Sequence, residues 1–519
     1  MRRKILINNI ISVDVFDTAI LRKVYRPDDI FRVIKQKVHN NFVIKRKKAE
    51  KDAMLKYKFP TLAQIYKFLP EFDMSLEIKT ELQLCYPNSK ILYQYQQWQK
   101  ENKTVVFISD MYLSSANIRQ MLIECGYKNP IVYVSCEEKA CKATGELFKI
   151  VESKLQGKIV KHYGDNYIAD IVGARKAGIN KTEWDPALDM KHKNIPAVKD
   201  PFLQKYLALE APPSNAGRLL GSYIIPVITS FTEWVLSKRV SPEQHIFFCS
   251  RDMFLCYKYA QYLNVPNIHY IHASRKSLAP IALNTSVNLD IRKKLDLILS
   301  LEEQNKYGTQ DALQETIAYL KKQKMRSNDL IVDIGYGGTI QTLIETALEI
   351  KLHGLYMQLN SDIDSNLLAE EYLKRKCISA CLISELPFCS PEDNIVGYKN
   401  GEPTFKKDLE KRKELAQEIY QVFKYTVIGL KQVFKDLSVF DIEQILIWLQ
   451  YYPPQELLEV YNSKIFSNRV LMESAINFDR EKIKNGELIK CYKMSYNKEL
   501  FRQMLQQDDE LKYLDYLLH

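Results

Sequence analysis

Short apolar runs alternate with longer stretches of helical spacing along this chain, and the alternation occurs twice. In the first part Ile10-Ile11-Ser12-Val13, VVFIS ending at Ser109 and KHYG ending at Gly164 read as buried strands. In the second part HIFFC ending at Cys249, IHYI ending at Ile271 and DLIVD ending at Asp333 read the same way. Each run meets polar or glycine residues abruptly. Strands alternating with helices predict two α/β domains with mostly parallel sheets. The first is expected over 1–195, with a helical insertion at about 22–100 after its first strand, and the second over 215–400. The Pro-rich stretch from NIPAVKDPF to EAPPSN reads as the joint between them. From about 405 to 519 the chain reads as mainly helical: QEIYQVFKYTVIGLKQVF has apolar residues at helical spacing, and Pro453-Pro454 breaks the next segment. There are no internal repeats and no low-complexity linker.

The length of 519 residues suits two or three domains. The best candidate for a transmembrane segment, 219–236, is interrupted by Ser, Thr and Glu and reads as a buried helix, so no transmembrane segment is expected. The N-terminal MRRKILINNI lacks a signal-peptide core and cleavage site, and a cytoplasmic protein, at most at the inner face of a membrane, is expected. Ten cysteines are scattered without a disulfide framework, and Cys377, Cys381 and Cys389 lack the second cluster a zinc site needs, so they read as buried thiols. The net charge is +11, and much of it lies in KQKVHNNFVIKRKKAEKDAMLKYK at 35–58. That run is either a solvated helix face or a surface for phosphorylated substrates, anionic acceptors or a membrane. No reader motif points to nucleic acid.

The first candidate chemistry sits in VDVFDTAI, where a strand runs into Asp14 and then Asp17 and Thr18. Three more pieces follow in order: VVFISDMYLS with Ser109, KATGELF with Lys142, and KHYGDNYIADIVGARKAGI with Asp165 and Asp170. A carboxylate at a strand end can attack phosphorus and form an aspartyl-phosphate. Its charge repels a phosphate dianion, so a hard cation has to sit between them; Asp14 and Asp165 can supply oxygens to Mg²⁺, with Asp170 beside them. Ser109 can donate to a phosphoryl oxygen, and Lys142 can neutralise charge as the phosphoryl group transfers. Single strand-end acids also serve as turn formers or helix caps; four pieces in sequence do not read that way.

Together these pieces resemble the motifs of the haloacid-dehalogenase (HAD) superfamily over roughly residues 5–190, and the insertion resembles the helical cap of that family. The resemblance implies a Rossmannoid fold, Asp14 as nucleophile, and Mg²⁺ held by Asp14, the carbonyl of Phe16, Asp165 and Asp170. It also shows a departure. Phosphatases of the superfamily carry a second Asp two residues after the nucleophile, for proton transfer. Here that position is Phe16, and the extra acid, Asp17, comes one residue later. Asp17, a cap residue or water takes the role, or the site is silent.

The second constellation lies in three strand-end segments. Ser250-Arg251-Asp252 follows the first, Ser274-Arg275-Lys276 the second, and Asp333 with Gly335, Gly337, Gly338 and Thr339 the third. Glycines at a strand-to-helix turn let backbone N–H groups approach a phosphate, and Thr339 adds a hydroxyl. Arg251, Arg275 and Lys276 supply positive charge, and Asp333 is placed for a ribose hydroxyl or Mg²⁺. The same residues could equally build a tight turn with structural ion pairs.

VDIGYGGTIQ resembles the ribose-phosphate loop of phosphoribosyltransferases, and SRDMFLCYKYA their pyrophosphate loop, over about 240–350. The loop is about one residue short, and Asp333 stands alone where the family has two acids. The pairing of domains resembles bifunctional ribofuranosyltransferases of bacterial surface-polysaccharide assembly (capsule or O-antigen). It implies transfer of 5-phosphoribose from phosphoribosyl pyrophosphate (PRPP) to a glycan acceptor, then removal of the 5-phosphate. The sequence does not identify the acceptor or whether a base such as Asp252 or Glu392 deprotonates it; polysaccharide-assembly proteins are the partners this resemblance implies. Two alternatives stay open: a stand-alone phosphatase on a sugar or nucleotide phosphate, and a non-enzymatic interaction module.

Overall fold

The computed structural model describes residues 9–38, 41–184, 195–209, 216–375 (without 288, 297, 361 and 362), 386–430 (without 389), 437–451 and scattered positions beyond. Cys377, Cys381, Cys389, Pro453 and Pro454 lie outside the described residues, as does part of the Pro-rich joint. The chain divides into two compact units, 1–193 and 194–519.

In the first unit β1 (Asn9–Val13) leads through a loop to the short β2 (Ile20–Arg22). Helices α1 (Asp29–Val38), α2 (Phe42–Tyr57), α3 (Leu62–Tyr66) and α4 (Met74–Leu84) follow, and β3 (Cys85–Pro87) returns antiparallel to β2. The insertion therefore leaves and re-enters the domain through a two-stranded stem. At its centre Arg46 is fully buried; its guanidinium donates to both carboxylate oxygens of Glu77, at 2.7 and 2.8 Å, and to Glu50 at 2.7 Å. The Tyr66 hydroxyl adds a 2.9 Å bond to Glu77. A buried ion pair is tolerable only when satisfied to this degree.

The helix α5 (Ser89–Lys100) does not belong to the insertion, which ends nearer 87 than 100. Its Tyr95 packs on Phe107, and its Trp98 on Tyr163, both on the main sheet. There follow β4 (Thr104–Ser109), α6 (Ser115–Glu124), β5 (Ile131–Val134), α7 (Glu146–Leu155), β6 (Lys158–Gly164) and β7 (Thr182–Trp184). The sheet is parallel throughout, in the order β5-β4-β1-β6-β7. The chain steps outward from β1 through β4 and β5, then crosses to the other side with β6. Strand order reverses between β1 and β6, and in open α/β sheets that reversal opens a crevice at the strands' C-terminal ends where ligands bind.

The second unit begins with α8 (Pro201–Leu209) and α9 (Ala216–Ser237), then β8 (Ile246–Cys249), α10 (Phe254–Tyr262) and β9 (Ile268–Ile271). After several short helices come α11 (Gln310–Lys322), β10 (Leu330–Asp333), α12 (Thr339–Leu348), β11 (His353–Tyr356) and β12 (Ala369–Glu371). These strands form a second parallel sheet, in the order β12-β11-β10-β8-β9. This is the flavodoxin-type order, whose reversal falls between β8 and β10. Side chains alternate across it: Ile246, Phe248, Leu330 and Val332 enter one core, Phe247 and Ile331 the other. Strands buried on both faces explain the unbroken apolar runs in the sequence.

A hairpin, β13 (Asn394–Lys399) and β14 (Glu402–Lys406), precedes α13 (Glu410–Leu430) and α14 (Val439–Tyr451). Ile419 and Phe423 of α13 and Trp448 of α14 share a core with β8 and β10, so these two helices belong to this unit. The helix α9 is long and apolar enough to cross a membrane by length and composition alone, but 83% of its most apolar window is buried within the protein.

Candidate active site

The register of the first sheet places the predicted acids. Val13 lies opposite both Phe107 of β4 and Tyr163 of β6, so Asp14, Ser109 and Asp165 all sit at or just past neighbouring strand ends. The backbone N–H of Asp14 donates to the Tyr163 carbonyl at 2.8 Å, fixing the loop to β6. Asp170 comes back from a single π-helical turn, Tyr167–Val172, capped by the Asn166 side chain. It can do so because residue 164 is glycine: a Cβ there would lie 2.3 Å from the Asp170 carboxyl carbon. Carboxylate oxygens of Asp14, Asp165 and Asp170 lie within 4.8 Å of one another.

Lys142 joins the acids from the other side. It lies on the turn before α7, with its backbone N–H on the Asp110 carboxylate at 3.1 Å. Its buried ammonium donates to Asp14 and, at 2.5 Å, to Asp170. Three carboxylates and one ammonium leave the pocket short of positive charge. Burial pushes Asp14 up to about 8 against the pull of Lys142, and pushes Asp165 up to about 6, with Asp17 and Asp170 adding to it. Burial would raise Asp170 too, but Lys142 and His162 outweigh it and hold that carboxylate well below its usual range. Lys142 stays charged for the reciprocal reason: the acids beside it more than offset its burial.

These oxygens suit a hard divalent cation. Asp14, Asp165 and Asp170 would hold it, and it would screen a bound phosphate from the acids. Phe16 has no side-chain donor and could contribute only its backbone carbonyl; its ring packs 4.1 Å from the Arg22 guanidinium. Ser109 is buried at the end of β4. Thr18 donates to Asp165 at 3.2 Å.

Asp17 is more constrained than the sequence suggested. It adopts a left-handed backbone conformation (φ 60°), and its carboxylate is paired with Arg22 at 3.2 Å. Arg22 is buried and also bonded to Glu81 of α4 at 3.3 Å.

Sequence reasoning missed a set of groups behind the acids. His162 on β6 is fully buried, with Nε2 3.1 Å from Asp170 and Nδ1 2.8 Å from the Ser12 hydroxyl. Burial lowers its basicity, and a neutral ring that donates to Asp170 and accepts from Ser12 satisfies both contacts. Alternation along KHYG, which turns His162 inward, was the available signal.

The second set of predicted residues follows the ends of β8, β9 and β10: the segments after β8 and β10 flank the reversal, and Ser274-Arg275-Lys276 follows the edge strand β9. The backbone turns through cis peptides at Ser250–Arg251 and Gly335–Tyr336. Arg251 pairs with Asp408 at 2.7 Å, Arg412 binds the same carboxylate, and Lys276 pairs with Glu303. Asp252 is raised by burial, opposed by Arg251, Arg412 and Arg275. Arg275 itself is exposed. The Ser250 hydroxyl is buried with no hydrogen-bond partner among the described residues. Asp333 ends β10 and accepts the N–H of Ile334 at 2.8 Å. Gly335 (φ 143°) lies against the Gln358 carbonyl, where a Cβ would stand 2.1 Å away. Gly337 continues the turn, and Gly338 (φ 67°) precedes Thr339, the first residue of α12, with no side-chain cap. The partners Asp408 and Arg412 were not foreseen; they lie about 160 residues away in sequence.

No family model and no curated protein matches this sequence. Solved structures do. A HAD family enzyme from Bacteroides thetaiotaomicron is similar over 36% of this chain and 97% of its own, at 15% identity and a TM-score of 0.26. The magnesium-bound HAD hydrolase YfnB from Bacillus subtilis is similar over 37% of this chain and 92% of its own, at 15% identity and a TM-score of 0.26. A haloacid-dehalogenase-like hydrolase from Xanthomonas campestris is similar over 37% of this chain and 88% of its own, at 11% identity and a TM-score of 0.22.

The raised acids give the site a testable signature. Between pH 4 and 8 the raised carboxyls make the folded, metal-free unit hold protons that the unfolded chain releases, because Asp165 and Asp14 titrate near 6 and 8 rather than near 4; the buried His162 works the other way, one group against two. Its stability therefore falls as pH rises through that window. Thermal unfolding in a chelator should show a midpoint that drops from pH 5 to pH 8.5. Saturating Mg²⁺ should flatten the drop and raise the midpoint most at the alkaline end. A Mg²⁺ shift that is the same at both pH values would contradict this charge balance.

Proposed function

We propose that the first unit is a Mg²⁺-dependent phosphohydrolase of the HAD type. The observation that carries this reading is the buried Asp14–Asp165–Asp170 cluster closed by Lys142 at the β1/β6 reversal. An Asp14 oxygen attacks phosphorus, the bond to the leaving oxygen breaks, and the phosphoryl group passes to Asp14. Lys142 and Ser109 stabilise the transferring oxygens. Water then attacks the aspartyl-phosphate, releases phosphate and restores the carboxylate. Asp17, seated on Arg22, is the proton carrier of this scheme.

We propose further that the second unit takes a phosphorylated ribose donor, PRPP, at the β8/β10 reversal. It would join C1 of 5-phosphoribose to a glycan hydroxyl oxygen as the C1–O bond to pyrophosphate breaks, pyrophosphate leaving and the hydroxyl proton passing to solvent, and the first unit would then hydrolyse off the 5-phosphate. Three features support this: the glycine turn at Gly335, the start of α12 without a side-chain cap, and the Ser250 hydroxyl, which has no hydrogen-bond partner among the described residues. The ion pairs of Arg251 and Lys276 favour a second reading, in which this unit is not catalytic and the protein is a phosphatase alone. On the first reading a phosphate must replace one anion with another.

Steady-state kinetics test the phosphatase. Asp14→Asn should lower kcat by at least about a thousandfold on any phosphomonoester. Asp17→Asn should cost about a hundredfold on a sugar phosphate, whose alkoxide needs a proton, and far less on an aryl phosphate. Equal losses on both would remove Asp17 from proton transfer. Thermal unfolding tests the donor site. PRPP with Mg²⁺ should raise the midpoint of the Asp14→Asn protein in a concentration-dependent way. The shift should vanish when Arg251→Ala and Asp333→Asn are added. A shift unchanged by those substitutions, or none, would favour the phosphatase alone.

A further inference from the structure

The solvent-facing side of α2 is built unlike an ordinary charged helix. Its inner side carries Phe42, Arg46, Ala49 and Ala53, all buried. At about 100° per residue, the opposite side is the line Ile44, Lys48, Lys51, Leu55, spaced i, i+4, i+7, i+11. Ile44 is 71% exposed and Leu55 81% exposed, and Met54 beside them is half exposed. Two aliphatic side chains thus stand about 16 Å apart on one line, with two lysines between them. Lys56 and Lys58 extend the basic surface at the C-terminal end, and both are exposed. Lys45 and Lys47 are paired with Glu71 and Asp28. Among the described residues no carboxylate pairs with Lys48, Lys51, Lys56 or Lys58.

A lone exposed leucine needs no explanation. Aliphatic residues at both ends of a lysine row are a different matter. Lysines suit any polyanion, but the aliphatic tips gain nothing in water or against a sugar phosphate. A bilayer with anionic headgroups satisfies both, since the lysines reach the headgroups while the aliphatic tips enter the acyl boundary. We propose that this face of α2 docks the protein on an anionic phospholipid surface. The inference does not depend on the reaction carried out by either unit.

The test is co-sedimentation of the full chain with vesicles of phosphatidylcholine alone or with about one-third phosphatidylglycerol. Binding is expected only to the anionic vesicles and should weaken as salt rises. Lys48→Glu with Lys51→Glu should weaken it at least about twentyfold. Ile44→Ser with Leu55→Ser, which leaves the charge unchanged, should weaken it about tenfold. All four positions are exposed, so the far-UV circular dichroism and the thermal midpoint should not change in either variant and report correct folding. A Leu55→Trp protein should show a blue-shifted emission on the anionic vesicles alone. Binding that survives loss of the two aliphatic residues and is matched by heparin would mean a general polyanion surface and overturn the proposal. No binding to anionic vesicles would overturn it as well.

Discussion

The ammonium of Lys142 is the constraint around which the first unit is arranged. It is buried between Asp14 and Asp170, and a lysine in that position is stable only because carboxylates surround it. The acids in turn exceed it, and the pocket resists full ionisation until another cation arrives. Much of the local structure serves to bring these groups together. Gly164 makes room for Asp170, Asp110 holds the Lys142 backbone, and His162 anchors Asp170 from behind. The strand reversal between β1 and β6 supplies the crevice in which they meet.

The helical insertion is tied to this pocket by charge as well as by its stem. Arg22, on the outgoing stem strand, spans Asp17 of the site loop and Glu81 of α4. Glu77, one turn earlier on the same helix, takes the buried Arg46 of α2. The inner face of α4 thus carries two acids, each matched by a buried arginine. The opposite side of α2 is left to solvent, with its lysines and aliphatic tips.

Much of the fold was legible because its strands are buried on both faces and end abruptly. An apolar run that stops at an acid or a glycine marks a parallel strand's C-terminal end, and Asp14, Ser109, Asp165 and Asp333 all sit at or just past such ends. Lys142 was legible only as part of an ordered set, because the turn that carries it has no periodic signal. Local patterning could not show pairings across long separations. Arg251 with Asp408 is one, and Arg22 with Glu81 is another. The boundary of the insertion was misplaced because α5 has the same amphipathic spacing as the helices before it. Only its aromatic contacts with β4 and β6 assign it to the main sheet.

The central claim is that Asp14 is a nucleophile and not merely a cation ligand. The direct measurement is mass spectrometry of the protein quenched in acid during turnover of an aryl phosphate with Mg²⁺. A phosphoryl adduct on the peptide containing Asp14, absent without Mg²⁺ and absent from Lys142→Ala, is the predicted result. Turnover at full rate with no adduct on that peptide, or an adduct on another residue, would contradict it.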